Sequence, residues 1–164
     1  MFSRVILGAS AVASVAAFAA CGSSSGVVVD TTPTVTYISQ LSGANEKPNA
    51  NASTATGTAT YTLKGNTLSF VVTVNGLAAP ATASHIHVGS AAVAGAVIFP
   101  FVTGSVQSGN LTAGTIDLST TVANGTTTIT GDSLKVLFNN GNAYTNVHTS
   151  ANPGGEIRGQ IVKQ

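Results

Sequence analysis

Two runs of alternating apolar and polar residues, Thr54 to Leu63 and Thr67 to Val74, flank the short break Lys64-Gly65-Asn66. Successive side chains of a strand point to opposite faces, so period two buries one set and leaves the other in water. A glycine–asparagine break between two such runs makes a hairpin turn. The same rhythm recurs along most of the chain. Val35 to Leu41, Ala83 to Val88, Ala96 to Phe101, Ala143 to Thr149 and Glu156 to Lys163 read as further strands. Asn75-Gly76, the small-residue loop Gly89 to Gly95, and the turn Asn152-Pro153-Gly154-Gly155 separate them. The polar stretch Ala44 to Ser53, with Pro48, reads as a loop, and Pro100 puts the end of its strand at an edge or bulge. Threonine-rich Val102 to Asn110 and Leu111 to Val122 supply one or two more strands before an Asn124-Gly125 turn. Many short strands with turn residues at close spacing predict a sandwich or barrel.

One segment breaks the rhythm. In Asp132 to Asn139, Leu134, Val136, Leu137 and Phe138 form a compact apolar set. Asp132 or Ser133 can cap its start, and Asn139-Asn140-Gly141 can stop it, which predicts a short helix.

The front end predicts export. Met1-Phe2-Ser3-Arg4 is a short positive start, followed by an uncharged run from Val5 to Ala20 that Gly8, Ser10 and Ser14 dilute. Such a run suits a cleaved signal better than a membrane-spanning helix. Phe18-Ala19-Ala20-Cys21 resembles the bacterial lipoprotein box, in which the cysteine is lipidated and becomes the mature N-terminus; Phe18 stands where leucine is commonest. Cys21 is the only cysteine, so no intrachain disulfide is possible, and a thioether to lipid accounts for a lone thiol in an exported chain. Gly22-Ser23-Ser24-Ser25-Gly26 reads as flexible tether. The expected organisation is a lipoprotein signal peptide over 1–20, a tether over 21–34 and one domain over 35–164. The membrane is then a partner through the anchor at Cys21, and Gly22 in place of an aspartate points to the outer membrane or cell surface.

Charge excludes whole classes of function. Charged residues make up 7% of the chain, and without Arg4 the five remaining Lys and Arg balance five Asp and Glu. A basic stripe for phosphate contacts is missing, which argues against a nucleic-acid partner. Apolar residues at 43% are too many for a disordered segment and enough for one real core.

All three histidines fall in two motifs, Ser84-His85-Ile86-His87-Val88-Gly89 and Tyr144-Thr145-Asn146-Val147-His148-Thr149. On a strand His85 and His87 share a face. These motifs, with Leu41-Ser42-Gly43-Ala44-Asn45-Glu46 and Pro153-Gly154-Gly155-Glu156-Ile157-Arg158-Gly159-Gln160, resemble the CHRD domain family over about residues 35–163. That family is named from chordin, an extracellular binder of growth factors, and also occurs in bacterial exported proteins. The resemblance implies an all-β, single Greek-key-like β-sandwich, immunoglobulin-like or superoxide-dismutase-like, in an extracytoplasmic role. It implies a non-catalytic binding or structural module with a protein or envelope-polymer ligand, and brings no assigned activity.

Two chemistries compete for the histidines. If their strands are neighbours, His85, His87 and His148 form a three-nitrogen site for copper or zinc with an open position. Otherwise they hydrogen-bond to backbone or to Asn146, Thr149 and Glu156 and fix loops at one end of the sandwich. Asn146, Glu156 and Arg158 are the residues expected around a metal; without one, Glu156 and Arg158 read as a same-face ion pair at the sheet surface. His-x-His on a strand also resembles the copper ligands of copper–zinc superoxide dismutase, but two metals need more histidines than this chain has. Gly131-Asp132-Ser133-Leu134 matches a serine-esterase signature, yet it lies late in an all-β chain and Thr145 stands three before His148. A helix cap explains it, and no catalytic residue is assigned.

Overall fold

The computed structural model describes residues 30–123 and 128–164; the expected leader, Cys21, residues 22–29 of the expected tether and the expected Asn124-Gly125 turn lie outside the described residues. The chain opens as a meander of β1 (Thr34–Ser42), β2 (Thr56–Lys64) and β3 (Thr67–Asn75). Lys64 pairs with Thr67, so the first hairpin closes over two residues, with Gly65 at φ +59. Strict alternation of exposed and buried residues along β3 confirms the period-two reading. The 44–53 loop holds a single 3-10 turn at Gly43–Asn45.

Then come β4 (Ala81–Val88), β5 (Val97–Pro100), β6 (Gly109–Asp117), β7 (Thr121–Ala123), β8 (Thr128–Thr130), α1 (Gly131–Asn139), β9 (Ala143–Thr149) and β10 (Ile157–Lys163). Eight strands form one antiparallel sheet in the order β5-β4-β9-β10-β1-β2-β3-β6, while β7 and β8 form a separate hairpin. β5 is the edge strand that Pro100 requires. The sheet curls until its far strands meet. Phe70 on β3 lies 6.3 Å from Phe99 on β5 and 4.7 Å from Phe101, ring centre to ring centre. Beyond β5, the Gly104 amide donates to the Leu111 carbonyl of β6. The expected all-β sandwich is thus made from one continuous sheet folded over a shared core.

That core joins Tyr37, Leu41, Tyr61, Val72, Ile86, Ile98, Val147, Ile157 and Ile161. The predicted helix is present and closes it. Phe138 sits edge-on to Tyr37 and Tyr61 at 5.3 and 5.2 Å, and burying Leu134 and Phe138 contributes about 1.5–3 kcal/mol each. The cap is not Asp132 or Ser133. The Thr130 hydroxyl accepts from the Ser133 amide, because β8 delivers Thr130 in an extended conformation directly before the first turn. Asp132 instead takes Lys135 at 3.1 Å on the helix surface. Thr128–Thr130 forms the strand β8, which threonine-rich sequence did not separate from loop.

Candidate metal centre

Three adjacent strands, β4-β9-β10, place the three histidines. Registry sets His85 opposite Asn146 and His87 opposite Tyr144. On the other side, Arg158 pairs with Asn146 and Gln160 with Tyr144. Ile86 and Val147 are in the core, so alternation turns His85, His87, Tyr144, Asn146 and His148 onto the opposite, outer face. The histidines therefore meet on a sheet face rather than at an end of the sandwich.

They meet closely. The candidate ligand nitrogens of His85, His87 and His148 all lie within 4.8 Å of one another. His85 Nδ1 and His148 Nε2 are 3.2 Å apart. Metal–nitrogen bonds of about 2.0–2.1 Å put tetrahedral ligand nitrogens about 3.3 Å apart. One pair is already at that spacing; the widest needs a rotation of about 1.5 Å.

The rings are oriented from behind by carbonyls. His87 Nδ1 lies 2.9 Å from the Gly95 carbonyl, and His148 Nδ1 lies 2.9 Å from the Pro153 carbonyl. A carbonyl only accepts, so both Nδ1 atoms carry the proton and both Nε2 atoms carry a lone pair. His87 is 8% exposed, and its Nε2 is buried with no hydrogen-bond partner. An unpartnered buried acceptor is costly and calls for a ligand. Gly95 can hold its carbonyl there because the loop folds hard against the Val88 backbone, where any side chain on residue 95 collides.

Electrostatics keep the rings neutral. Burial, then the neighbouring His148 and His87, lowers the His85 pKa to about 4. Burial lowers His87 as well, with His148 and Arg158 adding to it against the Gly95 carbonyl. Burial lowers His148 against the pull of Pro153. Neutral imidazole is the form that ligates a metal.

Arg158 reaches this centre through an aromatic ring. Its guanidinium lies 3.4 Å over Tyr144, whose ring stacks on His87 at 4.7 Å and 11°. Arg158 is 2% exposed, and it donates to the Ser90 and Val93 carbonyls, fastening the 89–96 loop that carries Gly95. Tyr144 was missed in the sequence, although period two along β9 puts it with Asn146 and His148.

The expected Glu156–Arg158 ion pair is not formed. Glu156 is fully buried and takes the Thr149 and Ser53 hydroxyls and the Ala78 amide. Burial raises its pKa, but those donors outweigh burial and leave it lowered. Nor does Asn146 or Glu156 hydrogen-bond a histidine: Asn146 donates to Glu46 at 2.6 Å. Glu46 was also missed. It is 5% exposed, and burial raises its pKa to about 7 against Arg158, the Lys47 amide and Asn146. Asn45 Nδ2 donates to the Arg158 carbonyl, so the Leu41–Glu46 motif docks directly on the closing motif.

A curled antiparallel β-sandwich with a polar, histidine-bearing outer face is the class of domain these features define. The CHRD domain profile matches residues 37–161, most of the chain, and the protein belongs to the CHRD domain family. No curated protein and no solved structure matches it.

Proposed function

We propose that this protein is a non-catalytic, lipid-anchored module of the cell envelope that binds copper or zinc at His85, His87 and His148. Its anchor is Cys21 and its working surface is the outer face of β4-β9-β10. The carrying observation is the buried, partnerless Nε2 of His87, turned into a cluster with two more neutral imidazoles. Two of the three rings have the backbone-carbonyl support that metal-ligating histidines normally have. The donor set is all imidazole, which suits copper and zinc. Family membership supports a binding module rather than an enzyme.

Metal analysis and titration with copper(II) and zinc(II) of the detergent-solubilised protein test the reading, with His87→Ala and His148→Ala alongside. One equivalent bound, and lost in both variants, supports it. No binding in the parent protein, with lowered melting temperatures in both variants, leaves the histidines as a purely structural network and ends the metal proposal. The anchor has its own test: Cys21→Ser should move the protein out of the membrane fraction, and unchanged fractionation removes the lipid.

A further inference from the structure

Resting on that reading, we propose that the three histidines are unequal ligands: His87 and His148 hold the ion, and His85 is the exchangeable ligand that closes over it and releases it. The geometry separates them. His87 and His148 each spend Nδ1–H on a backbone carbonyl at 2.9 Å, Gly95 and Pro153 respectively, and so present Nε2 in a fixed direction. His85 makes no such bond. Its Nδ1 faces His148 Nε2 at 3.2 Å. Since the His148 proton is committed to Pro153, the proton of that contact belongs to His85. His85 is therefore an Nδ1–H donor to the very lone pair that His148 offers a metal.

An ion entering between these nitrogens takes the place of that proton. The balance is simple. Coordination bonds form from His87 Nε2, His148 Nε2 and His85 Nδ1; His85 loses its Nδ1 proton to water and takes one from water at Nε2. No net proton is released and no electron moves. The bond that reverses the step, His85 Nδ1–H to His148 Nε2, is ready to re-form as the ion leaves. Because His85 has no carbonyl behind it, its ring turns more easily than the other two. A site with two fixed ligands and one that exchanges suits delivery of the ion to an acceptor better than permanent structural use. Three nitrogens with no thiolate or thioether among them favour copper(II) first and zinc(II) next.

Long-range nitrogen–proton NMR of the full-length protein in detergent, stripped by chelator and then loaded with zinc(II), tests the tautomers directly. The stripped protein should show Nδ1–H on all three rings, and loading should convert His85 alone to Nε2–H. Copper(II) titration and chelator competition then rank the ligands. His85→Ala should still bind one equivalent, more weakly than the parent, and should surrender it faster. His87→Ala and His148→Ala should bind none. A parent protein that binds no metal sinks the functional reading itself. Binding in the parent with His85→Ala as defective as His148→Ala, or with His85 keeping its Nδ1 proton when loaded, overturns the inference and leaves that reading standing.

Discussion

Gly154 and Gly155 are neighbours in one turn, yet replacing each by alanine should have very unequal consequences. Gly155 has φ +129, a region that side chains rarely enter, and a Cβ there would lie 2.7 Å from Asn146 Nδ2 and 2.8 Å from both carboxylate oxygens of Glu46. Backbone strain of that kind costs about 1–3 kcal/mol. Pushing Asn146 off Glu46 leaves a buried donor and acceptor unpaired, at about 1–3 kcal/mol. Reduced freedom of the unfolded chain returns about 0.4–1 kcal/mol. Gly155→Ala should therefore lose about 2–5 kcal/mol out of a total stability of about 5–15 kcal/mol. At about 3–5 °C per kcal/mol for a domain of this size, the melting temperature falls by about 6–25 °C. Gly154 has no atom within 4 Å of its would-be Cβ and no positive φ, so Gly154→Ala should stay within about 0.5 kcal/mol of the parent. Urea and thermal denaturation of the pair decide it. Equal stabilities would refute the claim that Glu46 and Asn146 enforce a glycine at 155.

The other predictions rest on separate contacts. Glu46 has its pKa raised from 4.5 to about 7, so its contribution to stability is complete below pH 4.5 and is lost as pH rises through 7. Glu46→Gln removes that dependence, and its stability relative to the parent should improve by up to about 3 kcal/mol between pH 4.5 and 8. Denaturant titrations across that range should show this, and a pH-independent difference contradicts it. Thr130→Ala deletes the helix cap and should cost about 1 kcal/mol by urea titration, whereas Asp132→Ala should cost less than half of that. Arg158→Met strands the Ser90 and Val93 carbonyls and removes the cation from Tyr144. A loss of about 3–5 kcal/mol is expected, with faster amide exchange across residues 89–96, and unchanged exchange there would show that Arg158 does not fasten the loop.

Much of the fold was legible because it depends on local chemistry. Alternation in Thr67 to Val74 names its buried face without reference to any partner, Gly65 permits the tight turn, and Pro100 limits its strand to an edge. Leu134 and Phe138 announced the helix by spacing. Its cap was misjudged because the threonine-rich run before it looks like loop until Thr128–Thr130 pairs with Thr121–Ala123. The site was half legible. The three histidines were named, but Glu46 and Tyr144 were not, because their importance comes from contacts with residues distant in the chain, Asn146 for Glu46 and Arg158 for Tyr144.

By itself the sequence determined most of the strand pattern, the shared face of His85 and His87, and the family. Those properties follow from period two and from motifs that local geometry preserves. Tertiary structure alone decided that β4 and β9 are neighbours, that Arg158 turns from Glu156 to Tyr144, and that His85 donates to His148. Pairing across a sheet and the desolvation of a charge depend on what the fold brings alongside each residue, and a single strand carries no record of its neighbour.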